Sequence, residues 1–89
     1  MNKLDEARNK INEIDNKLVA LFEARMKAVE EVAAYKKENN LPIFDEAREV
    51  IVKKNCLMLL HNKALEPYYS IVLDALLKAS KDYQGEILK

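Results

Sequence analysis

The chain has one glycine, two prolines, one cysteine, one histidine and no tryptophan in 89 residues. So little glycine and proline leaves few tight turns, which excludes a sheet of short hairpin-joined strands and favours a few long helices. A lone Cys56 rules out an intramolecular disulfide framework and a Cys-x-x-Cys metal site, and fits a reduced, cytoplasmic setting. No run approaches the ~20 apolar residues of a membrane span, and the charged start MNKLDEARNK has no apolar segment behind it, so neither insertion nor an export signal is expected. Fifteen basic residues balance fifteen acidic ones, which removes the global field that holds nucleic acid or an anionic membrane. Any anion site must be local.

What is present is helical periodicity. Apolar residues recur at steps of three and four from Leu4 through Ala7, Ile11, Ile14, Leu18 and Leu21; then Arg25 takes the next place, and Ala28, Val32 and Tyr35 continue the stripe. No Gly or Pro interrupts it before Pro42, whose ring disfavours helix at Leu41. The pattern predicts one helix of about 36 residues, roughly 54 Å long, well beyond the ~30 Å diameter of a small domain. After the connector Leu41-Pro42-Ile43-Phe44, Asp45 suits an N-cap. A second helix to about His61 is expected to have Ala47, Val50, Ile51, Leu57 and Met58 on its apolar face. Asn62-Lys63 reads as a short turn. Pro67 suits the first turn of a third helix with Tyr69, Val72, Leu73, Leu76 and Leu77 inward, and Gly85 as its stop. The expected class is all-α, one domain over residues 1–89 with one long and two shorter helices.

Two short helices cannot cover so long a first one, whereas a second copy running antiparallel can, so an intertwined antiparallel homodimer is expected. Burying the Arg25 guanidinium unpaired costs several kcal/mol by rough estimate, so an anion must meet it. Arg25 and Lys36 are eleven residues apart, about 20° around the helix and roughly 16 Å along it, and so flank one elongated pocket. Arg8 lies about 25 Å from Arg25 and about 100° off its face, out of reach within one chain. With a two-fold axis near residue 20, Arg8 of a partner arrives opposite residue 32, between Arg25 and Lys36. Arg48 and Glu49 add a cation and an acceptor from the second helix, and Ser80 and Gln84, spaced i, i+4, add neutral hydrogen-bonding groups from the third.

Each piece also has a plain reading: Arg25 paired to a partner carboxylate, Lys36 beside Lys37 as a solvated helix end, Arg48-Glu49 as a surface pair, and Ser80 and Gln84 as exposed polar residues. His61, at a helix end, reads as exposed or capping, and Cys56, Met58, Tyr68 and Tyr69 as packing residues. It is the convergence of cations from two chains and a further helix that points to function. No Ser-His, Cys-His or paired-carboxylate arrangement is visible, so an enzyme built from these residues needs neither nucleophile nor metal, and no cofactor is expected.

The motifs Arg8-x-x-Ile11, Ile14-Asp15-x-x-Leu18 with Leu21 and Arg25, Lys36, and Pro42 followed by Asp45-x-x-Arg48-Glu49 resemble those of AroQ-type, all-helical chorismate mutases over essentially the whole chain. The resemblance implies an intertwined dimer whose two sites each take an arginine from the neighbouring subunit. It also implies rearrangement of the dianion chorismate to prephenate, on the route to phenylalanine and tyrosine. By that likeness Arg25 and the partner's Arg8 would hold the carboxylates, with Arg48 supporting them. Lys36 and Gln84 would donate to the ether oxygen and Glu49 would accept from the ring hydroxyl, while Asp45 and Ser80 complete the lining. Matching Ser80 and Gln84 to the family pattern takes a one-residue deletion between Asn62 and Glu66; without it Lys81 and Gly85 fall there. An isochorismate-pyruvate lyase of similar fold and a non-catalytic helical dimerisation or regulatory module are the alternatives.

Overall fold

The computed structural model describes residues 2–89. Helix α1 runs unbroken from Lys3 to Glu38, α2 from Glu46 to Leu59, and α3 from Glu66 to Ile87, with a single 3-10 turn, Lys63–Leu65, leading into α3. The chain measures 55 × 25 × 15 Å, so its long dimension is that of α1 itself. No helix among the described residues is long and apolar enough to cross a membrane.

The ends of each element follow from local chemistry. Asn2 caps α1 by accepting from the Asp5 N–H at 2.8 Å. At the other end, Asn40 takes a left-handed conformation with φ 54°. The Leu41 N–H then donates to the Lys36 carbonyl at 2.8 Å and the Asn40 N–H to that of Lys37 at 3.4 Å. This paired closure satisfies two orphan carbonyls, and asparagine enters the left-handed region more readily than most residues. Pro42 therefore follows an ending that Asn40 makes. Asp45 caps α2 through the Arg48 N–H at 3.0 Å. Asn62 accepts from the Ala64 N–H at 3.1 Å to start the turn before α3, and Lys63 Nζ closes over the Leu57 carbonyl at 2.8 Å.

Helix α3 is the middle of the molecule. It packs on α1 along one side and on α2 along another, while α1 and α2 have no comparable contact with each other. The Lys53–Asp74 ion pair, 2.7 Å, also ties α2 to α3. Among the described residues the buried apolar ones are only Val29, Ala33 and Leu73.

The expected apolar faces are only partly the ones the chain uses. Against α3, α1 buries Val29 and Ala33, one step round from the Leu4-to-Tyr35 stripe. Leu4, Ile11, Ile14, Leu18 and Leu21 are each more than half exposed. In α2 the side turned inward comprises Glu49, Val52, Lys53, Cys56 and Leu57, so the expected Val50, Ile51 and Met58 point outward instead. Periodicity gave the helix but not which of two adjacent apolar stripes α3 covers. Likewise Val72 is exposed while Leu73, Leu76, Leu77 and Tyr69 turn inward. Of the expected packing residues Tyr69 meets Cys56, and burial followed by that thiol pushes its hydroxyl above the ordinary tyrosine range; Met58 and Tyr68 lie open. His61 is exposed just beyond α2.

Gly85 does not stop α3. The helix runs two residues further, Gly85 has no positive φ, and the Leu88 N–H continues the ladder to the Gln84 carbonyl at 3.0 Å. A Cβ added at Gly85 meets nothing within 4 Å. Gly85→Ala is thus expected to raise stability by about 0.5–1 kcal/mol, read as a higher melting temperature, whereas a stop in the left-handed region would make the same change destabilising. Asn40→Val, placing a β-branched residue at positive φ, is expected to lower stability by about 1–2 kcal/mol in denaturant titration.

Candidate active site

Because α3 holds α1 and α2 apart, a cleft remains between them, with α3 as its floor and a volume of about 250 Å³. Each wall contributes one helical stripe. Helix α1 supplies Arg25, Ala28, Val29, Val32 and Lys36; the start of α2 supplies Asp45, Arg48, Glu49 and Val52; α3 supplies Leu77, Ser80, Lys81 and Gln84; and Ile43 of the connector closes one end. Every stripe uses steps of three and four, the spacing that keeps side chains on one helix face.

Seven of the eight sequence-derived positions, Arg25, Lys36, Asp45, Arg48, Glu49, Ser80 and Gln84, line this one cleft. Arg8 does not. It is exposed, on a part of α1 whose described residues are all exposed, about 25 Å from Arg25 along the helix.

Arg25 is half-buried, and its guanidinium donates to Ser80 Oγ, which donates in turn to the Leu76 carbonyl at 2.9 Å. The serine hydroxyl is thereby committed in both directions and serves to aim the arginine. No carboxylate pairs with Arg25 among the described residues, so its charge is directed and not neutralised.

Lys36 reaches back from the last turn of α1. Its Nζ donates to the Ile43 carbonyl at 2.7 Å and to Gln84 Oε1 at 3.0 Å. An ammonium offers only donors, so the Gln84 amide must present its oxygen to Lys36, and its NH₂ remains to donate elsewhere in the cleft. Gln84 and Ser80 are both buried, at 6% and 7% exposure, and Gly85 is absent from the lining. In the folded chain the polar face of α3 is therefore the Ser80/Gln84 face, one that also carries Lys81.

Asp45 holds the start of α2 and lines the cleft, while Arg48 is exposed at the rim. Glu49 pairs with Lys81 at 3.1 Å and not with its neighbour Arg48. Lys81 also sits 4.8 Å from the centre of the Phe44 ring. Sequence reasoning carried Lys81 only as a competing register; its place one residue after Ser80 and three before Gln84 on a helix is the signal that puts it on the same face.

The lining thus has four cations and two carboxylates, and one of the carboxylates is already paired. Such a cleft attracts a small anion with more than one negative group and offers neutral donors beside it. Among the described residues no group of histidine, cysteine and acidic side chains is placed to hold a metal.

The family model for chorismate mutase type II matches residues 7–85. The chain is 34% identical over 86 residues to a chorismate mutase from Methanocaldococcus jannaschii, covering 75% of this chain and 87% of that protein. No solved structure gives a significant match. A family match running from the exposed arm of α1 to the last turn of α3, together with that relative, places the chain in the type II chorismate mutase family, as an isomerase.

Proposed function

We propose that the cleft binds chorismate and carries its [3,3] rearrangement to prephenate, the step that commits chorismate to phenylalanine and tyrosine, as a single domain acting in the cytoplasm. The observation that carries this reading is the pairing of Lys36 Nζ with Gln84 Oε1, which leaves the amide NH₂ to donate beside the ammonium in a cleft where Arg25, Lys36 and Arg48 have no carboxylate partner among the described residues. The substrate is a dianion with an ether oxygen and a ring hydroxyl. Arg25, aimed by Ser80, takes one carboxylate as a charge-assisted pair, and Arg48 adds positive potential at the rim. Glu49 accepts from the ring hydroxyl, and Asp45 fixes the start of the helix that carries both.

A pericyclic step moves no proton. The protein therefore contributes by holding the compact conformer and by stabilising the charge that builds on the ether oxygen as its C–O bond breaks. Lys36 and Gln84 do the second. Their donors interact more strongly with the developing oxyanion than with a neutral ether, which is the condition for raising kcat and not merely tightening binding.

The second carboxylate belongs to Arg8 of a partner chain in an antiparallel homodimer. Two observations support the dimer: a long row of large apolar side chains on α1 stands open to solvent, and the chain buries too little apolar surface to be well stabilised alone. A second α1 packed along this row covers it and brings Arg8 toward the partner's cleft.

Lys36→Ala is expected to lower kcat by about a hundred- to a thousandfold while circular dichroism and dimer mass stay unchanged, with loss of chorismate absorbance and formation of prephenate as the assay. Activity equal to the unaltered chain would remove Lys36 from the site. Salicylate and pyruvate from isochorismate as the preferred reaction would replace the mutase reading with the lyase one. A mixing experiment tests the shared site. Arg8→Ala and Lys36→Ala chains, each nearly inactive, should on refolding together recover roughly a quarter of full activity, because half of the dimers then hold one intact site of two. No recovery would mean that Arg8 and Lys36 act in the same chain.

A further inference from the structure

Among the described residues Lys81 is the one cation in the cleft with a carboxylate for partner, and its surroundings hold it there. Its Nζ lies 3.1 Å from Glu49 Oε2, with the two side chains 35% and 23% exposed, and 4.8 Å from the centre of the Phe44 ring. A ring face attracts an ammonium, so Phe44 restrains the lysine further. The connector thus holds both lysines of the cleft with consecutive residues: Ile43 takes Lys36 through its carbonyl, and Phe44 takes Lys81 through its ring.

The ion pair matters because of what Glu49 must do. An unpaired carboxylate in a cleft for a dianion repels both of its negative groups, and a mobile one accepts a hydrogen bond poorly. Pairing through Oε2 offsets the charge and leaves Oε1 to accept from a hydroxyl. We infer that Lys81 is a positioning residue for the reaction: it neutralises and aims Glu49 so that the carboxylate can select a substrate bearing a ring hydroxyl without repelling its carboxylates. This rests on the placement of Glu49 against the substrate hydroxyl. The other charged groups on the cleft walls, Arg25, Lys36, Asp45 and Arg48, are not the partners of this pair.

The test is a double-mutant cycle of Lys81→Met and Glu49→Gln, with Lys81→Arg alongside, read as kcat and KM for chorismate and as melting temperature. Lys81→Met is expected to lower kcat/KM about tenfold, mostly through KM, Lys81→Arg to restore most of the loss, and the double variant to be no worse than Glu49→Gln alone. Should Lys81→Met lower the melting temperature strongly, Lys81→Gln takes its place in the cycle. Unchanged kcat/KM without the lysine, or losses that multiply in the double variant, would overturn the inference while leaving the rest of the site standing. Full activity in Glu49→Gln would instead overturn the placement of Glu49, and this inference with it.

Discussion

The packing of α3 between α1 and α2 is the constraint from which the rest of the molecule follows. Leu73 is buried in that packing, and Val29 and Ala33 of α1 lie beneath α3. With α3 as spacer, α1 and α2 stand apart by enough to leave a cleft, and each helix turns one stripe with charged or polar members into it. The cations are not clustered in sequence; Arg25, Lys36, Arg48 and Lys81 come from three helices and meet only because α3 sets the gap. Such a cluster raises electrostatic energy in the cleft, and a bound anion would relieve it.

Arg25 shows the division of labour within that arrangement. A charge in an apolar stripe needs a counter-charge, and among the described residues it receives only the Ser80 hydroxyl, itself anchored on the Leu76 carbonyl. A neutral acceptor fixes direction without consuming charge. The same logic recurs at Lys36, held by a carbonyl and an amide oxygen. Glu49 is treated in the opposite way, its charge matched by Lys81.

The arm of α1 before Glu23 is the other half of the economy of this chain. It makes a regular helix with a capped start and a continuous apolar row, yet its described residues are exposed. Helix propensity alone rarely sustains such a segment in water, since most helical stability in proteins comes from packing an apolar face. An arm built for packing and left open within one chain agrees with a site completed by a second copy.

By itself the sequence determined the class, the 36-residue length of α1, the Asp45 cap and the residue types of the site, because these depend on local propensity, capping and spacing along a single helix. Seven of the eight candidate positions, chosen on that basis and on the family likeness, line one cleft. The tertiary structure decided what local rules leave open: that α3 covers Val29 and Ala33 and not the neighbouring stripe, that α2 turns Glu49 and Val52 inward, and that Gly85 stays helical because the ladder from Leu88 back to Gln84 outweighs a glycine's small helix penalty. It also decided that Lys81 lines the cleft and pairs with Glu49, since which carboxylate faces it depends on how α2 lies against α3. Which face of an amphipathic helix is used depends on where its neighbours lie, and that is fixed by packing between segments far apart in the chain.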